Sequence, residues 1–287
     1  MYRHTHPLRA AHALVPSRIV AGVVVAMSML SGACDSSSNN LTSAPSSRSV
    51  AVVPTGPSFS VDAALPGGFS LGKAAKFAAL GGAGVTCTAP IPALPKVTIR
   101  GGNVGSVLLA PSSVTGFPGF TPGANPCSLA ARKTIKLGAT AAFADFQTAY
   151  NALRDIPIPT DAAHLLSGDL GGKTLAPGVY YISGTVLLTS KLTLKGPAKG
   201  IWIFKTASDL TPIGGSVVMA GNGDACNVYW EIGTAASLNA TQFVGNMLAG
   251  TAITFTGVGS SLAGRALAAT DVTMTGADIR ACGSSKP

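Results

Sequence analysis

The chain has 287 residues, of which 47% are hydrophobic and only 11% are charged, so it can bury one large core and is not an intrinsically disordered protein. Its 35 glycines and 19 prolines favour β architecture over a helical bundle. The formal net charge of +9 includes three arginines near the N-terminus, and the other basic residues are spread singly, which argues against a nucleic-acid-binding groove.

The first thirty residues have the pattern of an export signal. Arg3, Arg9 and Arg18 precede the apolar run "IVAGVVVAMSML" at 19–30. This run is too short to span a bilayer as a helix, and small residues follow it. We therefore expect an exported protein.

The end of this leader contains a cysteine in a specific context. The stretch "MLSGAC" (29–34) resembles a bacterial lipobox, with Ser31 where leucine is usual. The resemblance implies that residues 1–33 are a lipoprotein signal peptide and that Cys34 receives the lipid. The protein would then be anchored by lipid in the bacterial cell envelope, outside the cytoplasm. The alternative is an ordinary secretory signal with an incidental cysteine.

Residues 34–68 are rich in serine and proline and have no sustained period, which predicts a flexible tether. Treated as a random coil, a segment of this length has an end-to-end distance of about 30 Å. The folded domain is predicted to comprise residues 69–287, and we expect it to be monomeric.

The first part of this domain contains short β-like segments and one helix. The clearest β-like stretch is "KVTIRGGNVGSVLLA" at 96–110. Between residues 134 and 154 the period changes to steps of three and four, which predicts an amphipathic helix. Its apolar residues are Ala139, Ala142, Phe143, Phe146, Ala149, Tyr150 and Leu153. One helix in a β sequence needs a sheet face on which to pack.

Four cysteines remain beyond Cys34, an even number in an exported chain, where disulfides persist. Of the three possible pairings we favour Cys87–Cys127 with Cys226–Cys282, because each bond would fix a terminal segment to a neighbouring coil. A zinc site is the competing use, but no CxxC occurs and His164 is the only histidine beyond the leader. We expect no metal and no cofactor.

The second half of the domain repeats a short pattern, clearest in "ITFTG" (253–257) and "VTMTG" (272–276). Large apolar residues recur at spacings of 25, 19, 17 and 19, each with an apolar or small residue two positions earlier. The recurring pairs are Leu192 and Leu194, Val217 and Met219, Ala236 and Leu238, Ile253 and Phe255, and Val272 and Met274. Both members of a pair share one face of a strand. A period near nineteen built from short strands indicates a β-solenoid.

The residues between and after these pairs are predicted to form an outward grid. Its two rows would be Thr193, Val218, Ser237, Thr254 and Thr273, and Lys195, Ala220, Asn239, Thr256 and Thr275. Neighbouring coils lie about 4.8 Å apart, and alternate residues of a strand about 6.7 Å apart. Threonine has a high β propensity, so such a grid also occurs without any ligand.

Catalytic chemistry has little support in the sequence. Glu231 is the only glutamate, the aspartates are scattered and no G-x-S-x-G occurs, so the carboxylate pair of a glycosidase is lacking. The stretch "HLLSGD" (164–169) brings histidine, serine and aspartate together only in sequence, which does not build a triad. We expect a protein that is not an enzyme.

Several longer segments resemble the bacterial and fungal ice-binding protein family. They include "SGDLGGKTLAPGVYYISGTVLLTSKLTLKG" (167–196), "ACNVYWEIGTAASLNATQFVGNMLAGTAITFTG" (225–257) and "LAGRALAATDVTMTGADI" (262–279). The paired "GNMLA" and "GRALA" are the most specific features, and the resemblance covers about 69–282. It implies an all-β fold, a right-handed β-solenoid of triangular section with coils stacked out of sequence order and one long α-helix packed alongside.

The resemblance also implies a function and a site. In ice-binding members of the family, one flat face rich in Thr, Ser and Ala orders water into an ice-like layer, and "TAIT" (251–254) resembles the motif on that face. "TAAS" (234–237) and "TDVT" (270–273) match it in part, and Asp271 adds a carboxylate beside it. The implied ice-binding residues are Ala235, Ser237, Asn239, Ala252, Thr254, Thr256, Thr273 and Thr275. The expected partner is an ice crystal surface. The alternative is a non-catalytic adhesin or structural lipoprotein of the cell envelope with the same fold.

Overall fold

The computed structural model describes residues 69–88, 97–119, 126–130 and 133–282. Cys34, the predicted signal peptide and the predicted tether lie outside these ranges. In chain order the strands are β1 (Phe77–Gly81), β2 (Gly84–Thr88), β3 (Val97–Arg100), β4 (Asn103–Ser106), β5 (Val114–Thr115), β6 (Cys127–Leu129), β7 (Ile135–Lys136), β8 (Leu165–Asp169), β9 (Thr174–Leu175), β10 (Gly178–Leu188), β11 (Lys191–Gly196), β12 (Trp202–Thr206), β13 (Leu210–Pro212), β14 (Ser216–Gly221), β15 (Val228–Ile232), β16 (Ala236–Asn239), β17 (Gln242–Ala249), β18 (Ile253–Thr256), β19 (Ser261–Ala268), β20 (Asp271–Thr275) and β21 (Asp278–Arg280). The helix α1 spans Thr140–Arg154, and 3₁₀-helices span Gly72–Lys76, Pro111–Ser113 and Ala225–Asn227.

The strands pair in parallel and form three ladders. The helix ladder runs through β8, β10, β12, β15, β17, β19, β1, β4 and β7. The threonine ladder runs through the end of β10, then β13, β16, β18, β20, β2 and β5. The basic ladder runs through β9, β11, β14, the starts of β17 and β19, then β21, β3 and β6. The parallel pairing of short strands on successive coils confirms the prediction of a β-solenoid.

The coils are stacked out of sequence order, as the resemblance implies. Strands β1, β2 and β3 pair with β19, β20 and β21, so the first coil of the chain lies beyond the last one. Strands β4, β5 and β6 follow on its other side. The chain then passes through α1 before β8 begins the opposite end of the stack.

Two cores hold this arrangement together. Inside the solenoid, Tyr180, Phe204 and Trp230 stack over one another, with centroid distances of 5.4 and 4.0 Å along the column. The second core lies between α1 and the helix ladder. It contains Ala142, Phe146, Ala149 and Leu153 of the helix with Val179, Ile203, Leu248 and Leu267 of the strands. Burying each large apolar side chain contributes about 1.5–3 kcal/mol, so both layers stabilise the fold.

The helix begins later than predicted. Residues 135–136 form β7, which pairs with β4, and Gly138 turns the chain at a φ of +65° before α1 starts at Thr140. The start was misplaced because a two-residue strand leaves no periodic signal. In the described ranges, no helix is long and apolar enough to cross a membrane.

One sequence prediction about the ladders is wrong. Leu194 and Met219 pair with each other in the basic ladder, whereas Leu238, Phe255 and Met274 lie in the threonine ladder. The two outward rows predicted as continuous therefore belong to two different faces. The prediction failed because strands on different ladders have the same alternation of apolar and outward residues. This alternation alone does not show to which ladder a strand belongs.

Both predicted disulfides are present. Cys87 and Cys127 have Cα atoms 6.2 Å apart, and Cys226 and Cys282 have Cα atoms 5.4 Å apart. The second bond fixes the segment after β21 to the segment before β15.

Candidate functional site

The outward residues of the threonine ladder form two parallel rows on consecutive coils. In the first row, Ser237 pairs with Thr254, Thr254 with Thr273, Thr273 with Thr86, and Thr86 with Thr115. In the second row, Asn239 pairs with Thr256, and Thr275 with Thr88. Neighbours within a row are about 4.8 Å apart and the rows about 6.7 Å apart, which makes a regular two-dimensional array.

Six of the eight residues predicted from the resemblance lie on strands of this ladder. Four threonines, at 254, 256, 273 and 275, are half-buried, whereas Ser237 and Asn239 are exposed. Ala235 and Ala252 directly precede β16 and β18 and add a third row of small side chains. The inward positions alternate with them, because Leu238, Phe255 and Met274 are fully buried.

Sequence reasoning missed the part of the array contributed by the N-terminal coils. Thr86 and Thr88 of β2 continue the two rows, and Thr115 of β5 extends the first. The signal was present, since "VTCT" (85–88) repeats the pattern of "ITFT" and "VTMT". It was overlooked because Cys87 occupies the inward position and because β2 precedes β20 by almost the whole length of the domain.

The opposite end of the threonine ladder is apolar. Thr211 of β13 pairs with Leu187, and Ile213 pairs with Asn239. Leu187 is 37% exposed and Ile213 58% exposed. The array of hydroxyl-bearing side chains is therefore bordered on this side by Leu187 and Ile213, and Leu187 in turn pairs in register with Asp169 of β8.

Hydrogen bonds fix several side chains of the array. The hydroxyl of Thr256 donates to the backbone oxygen of Leu238 at 3.3 Å, and the hydroxyls of Thr88 and Thr275 share a hydrogen bond of 2.9 Å. Threonine already has a restricted χ1, so these contacts leave little rotamer freedom. Thr88, Thr256 and Thr275 are thus restrained without any ligand.

The array carries little charge. Its described strands contain no lysine or arginine, and their one carboxylate belongs to Asp271, which is exposed at the start of β20. Asp209, just before β13, accepts hydrogen bonds from the hydroxyl of Thr234 and from the backbone nitrogen of Ala235. The Thr234 bond and the backbone bond lower the pKa of Asp209, which keeps it ionised and held close to the backbone.

The other titratable residues considered from the sequence have structural contacts. The Nδ1 atom of His164 lies 2.6 Å from a carboxylate oxygen of Asp161, and this bond lowers the pKa of Asp161. Asp169 accepts hydrogen bonds from the hydroxyl and backbone nitrogen of Thr189, so it does not join His164 in a triad. Within the described part of the chain, no group of three or more potential metal ligands occurs.

Glu231 lies beneath the C-terminal end of α1. It pairs in register with Lys205, whose ammonium group donates to the backbone oxygens of Arg154 and Ile156. Burial raises the pKa of Glu231 and lowers that of Lys205, while the attraction between the two charges opposes both shifts. Burial, together with the charge of Glu231, raises the pKa of Tyr150 to about 12. These residues hold the helix end on the helix ladder.

Comparison with known proteins gives consistent results. The sequence profile of a family described as ice-binding-like matches residues 80–280. An ice-binding protein of Nostoc sp. (strain HG1) is 39% identical over 189 residues, which are 65% of this chain and 64% of that relative, so the chain spans slightly less than two thirds of its length. An ice-binding protein of Flavobacterium frigoris (strain PS1) is 32% identical over 213 residues, covering 71% of this chain and 73% of the relative.

Solved structures give the same picture. The ice-binding protein of the Antarctic ascomycete Antarctomyces psychrotrophicus superposes with a TM-score of 0.64 at 28% identity, covering 75% of this chain and 99% of that one. An ice-binding protein from an Antarctic biological consortium has a TM-score of 0.61 at 32% identity, covering 74% of this chain and 90% of that one. Both likenesses extend over most of the described solenoid.

Proposed function

Because this chain belongs to the ice-binding-like family, we propose that it binds ice and that the threonine ladder is the adsorbing surface. The observation that carries the proposal is the in-register array on consecutive coils, centred on Ser237, Thr254, Thr273 and Thr86. The relatives named ice-binding proteins support ice rather than the adhesin or structural alternative.

The physics of adsorption favours many weak contacts repeated at regular spacing. Each threonine presents a methyl group and a hydroxyl on a stiff side chain, so little rotamer entropy is lost when ordered water forms over it. Small side chains at Ala235 and Ala252 keep the surface flat beside the first row. Because the described strands of this ladder carry no lysine or arginine, few strongly hydrated groups disturb that water.

Adsorption to ice is directly measurable. The full chain should inhibit ice recrystallisation and produce thermal hysteresis, and it should partition into a slowly growing ice hemisphere. The same protein unfolded by reduction and heating should lose all three properties. A folded protein without any of them would contradict the proposal and favour the adhesin or structural alternative.

We also propose that lipid on Cys34 tethers the domain to a membrane through residues 34–68. The support is the resemblance of "MLSGAC" to a lipobox after a basic and apolar leader. Mass spectrometry of membrane-fraction protein should then find a lipid-modified Cys34 at the N-terminus. Soluble protein with an unmodified internal Cys34 would contradict the tether and leave the ice proposal intact.

For the shape of the solenoid, we infer a right-handed coil of triangular section. Crossover connections between parallel strands are right-handed in nearly all proteins. Three ladders around one core correspond to three flat sides, of which the threonine ladder would be one. An experimental structure would test both features.

A further inference from the structure

The outward face of the basic ladder differs chemically from the other two faces. Lys191 and Lys195 lie on β11, Arg280 on β21 and Arg100 on β3, against a single carboxylate, Asp278, on the described strands of this ladder. The helix ladder is covered by α1, and the threonine ladder has no cation on its described strands. Three of the four exposed strand cations in the described ranges, Arg100, Lys191 and Lys195, therefore lie on this ladder, and the fourth, Lys136, lies on β7 of the helix ladder.

Two arginines on this face are direct neighbours. Arg280 pairs in register with Arg100, so their Cα atoms are about 4.8 Å apart on adjacent strands. Like charges in such positions destabilise a sheet. Neither guanidinium has an ion pair within the ranges that the structure describes, and their row neighbours, Ala263 and Ala130, are small. Within the described ranges, no ion pair therefore offsets the repulsion between these two guanidinium groups.

Both arginines line an open cleft of about 290 Å³. Thr98, Ser261 and Asp278 also line it. An oxygen of Asp278 accepts the backbone N–H of Thr98 at 2.7 Å, which directs this carboxylate toward the backbone rather than toward a guanidinium. The cleft therefore combines two guanidinium groups that have no ion pair within the described ranges with the hydroxyl groups of Thr98 and Ser261 and the carboxylate of Asp278.

A second cleft adjoins the first and shares Arg280 and Ala263 with it. Its volume is about 580 Å³, and Met219 and Val244 contribute apolar walls. Asp224 also lines it, and its carboxylate accepts the backbone N–H of Cys226 at 2.9 Å. The two clefts meet at Arg280 and Ala263, and we refer to them together as the arginine groove; this extended surface suits an elongated ligand with both charged and apolar surfaces better than a single small anion.

We propose that this groove binds an acidic polysaccharide and that Arg100 and Arg280 together hold one of its carboxylate groups. Guanidinium groups bind carboxylates in a bidentate geometry, and a pair of them can grip both oxygens. Lys191 and Lys195 lie four coils from Arg280 and five from Arg100, about 19 and about 24 Å along the same face, where they would bind further carboxylates of the same polysaccharide. The proposal does not depend on ice binding.

Calorimetric titration of the full chain with oligogalacturonate tests the proposal. A neutral malto-oligosaccharide and a sulfated oligosaccharide of similar length serve as comparison ligands. The double variant Arg100→Lys/Arg280→Lys keeps the net charge but lacks the fork, and should weaken oligogalacturonate binding by about tenfold or more. The control variant Lys76→Gln/Lys136→Gln removes two exposed charges outside the groove. It should change the affinity for oligogalacturonate by less than about twofold when both proteins are compared at the same ionic strength.

Circular dichroism of each variant distinguishes a loss of binding from a loss of folding. Binding of oligogalacturonate but not of the neutral sugar, with selective loss in the arginine variant, supports the proposal. No binding by the wild type at low salt, or equal losses in both double variants, overturns it. Tighter binding of the sulfated oligosaccharide overturns the assignment to carboxylate.

Discussion

Single threonine residues give the proposed ice-binding face its chemistry. Thr254 is half-buried between Ser237 and Thr273, with its Cβ fixed by a strand whose inward residues are fully buried. Its methyl group and hydroxyl therefore occupy defined positions in the array. A larger side chain here would lift the adsorbed water layer without reaching the core.

Thr254→Tyr tests this position. We expect loss of ice-recrystallisation inhibition, because an aromatic ring projecting from the centre breaks the flatness of the array. The free energy of unfolding should change by no more than about 0.5–1 kcal/mol, since an outward-facing strand position disturbs little of the core. The matched control is Thr193→Tyr on the basic ladder, which should keep ice activity. Equal activity of both variants would refute the assignment of the face.

Asp271 is the carboxylate at the edge of the same array. Its charge holds a hydration shell that competes with ordered water, so Asp271→Thr should increase thermal hysteresis. Asp278→Thr on the basic ladder removes the same charge and should leave hysteresis unchanged. Reduced hysteresis in Asp271→Thr would show that this carboxylate takes part in adsorption.

Glu231 should give the stability of the protein a specific pH dependence. Because burial raises its pKa in the folded state, the folded protein holds this proton more tightly than the unfolded chain. Stability contributed by the protonated group is present below the unfolded pKa and is lost as pH rises through the folded pKa. Glu231→Gln mimics the protonated form. The variant should match the wild type in strong acid and become relatively more stable as pH rises, as measured by urea unfolding. A difference that is independent of pH would contradict this account.

Among the elements, β17 and β19 depend on a close approach of their backbones at the turn between two ladders. Gly245 has a φ of +110°, and a Cβ added at Gly264 would lie 1.8 Å from the backbone oxygen of Gly245. Beside this corner, Arg265 donates to the side-chain oxygen of Asn246 at 2.8 Å and to the backbone oxygens of Ala75 and Cys282. The paired "GNMLA" and "GRALA" motifs thus encode the corner and a buried polar network.

Gly264→Ala should therefore be strongly destabilising. The added methyl group forces the two strands apart, and overpacking of this kind costs about 1–3 kcal/mol or more. Gly259→Ala provides the control, because Gly259 also has a positive φ, of +86°, but open space around it. Chemical denaturation should show a larger loss for Gly264→Ala than for Gly259→Ala. Similar losses would mean that backbone conformation, rather than the close approach, determines the cost.

The same elements show how far sequence reasoning reaches. Alternation within a strand is local, so the inward Phe255 and outward Thr254 were predictable. The partner of a strand is not local, and Leu194 was assigned to the wrong ladder because "KLTLKG" alternates like "ITFT". The contribution of Thr86 was missed for the same physical reason, since parallel pairing joins β2 to β20 across most of the domain.

On the scale of the whole molecule, the three faces have separate environments. The helix ladder is buried under α1, the threonine ladder presents a nearly uncharged array, and the basic ladder carries the paired arginines. Ice and an acidic polysaccharide would therefore meet different sides of one rigid solenoid. Occupation of the arginine groove should leave the threonine ladder free.

The out-of-order stacking has a consequence for how the molecule opens. In a solenoid with coils in sequence order, the terminal coils form the ends of the stack and open first. Here β2, near the start of the domain, lies between β20 and β5 inside the stack.

Native-state hydrogen exchange should give the amides of Val85 and Val272 similar free energies of opening, close to that of global unfolding. The amides of β9, at the opposite end of the stack, should exchange through smaller openings. Protection of Val85 as low as that of β9 would show that the N-terminal coils dock only weakly on the last coil, and the threonine array would then lose Thr86, Thr88 and Thr115 before the rest of the fold opens.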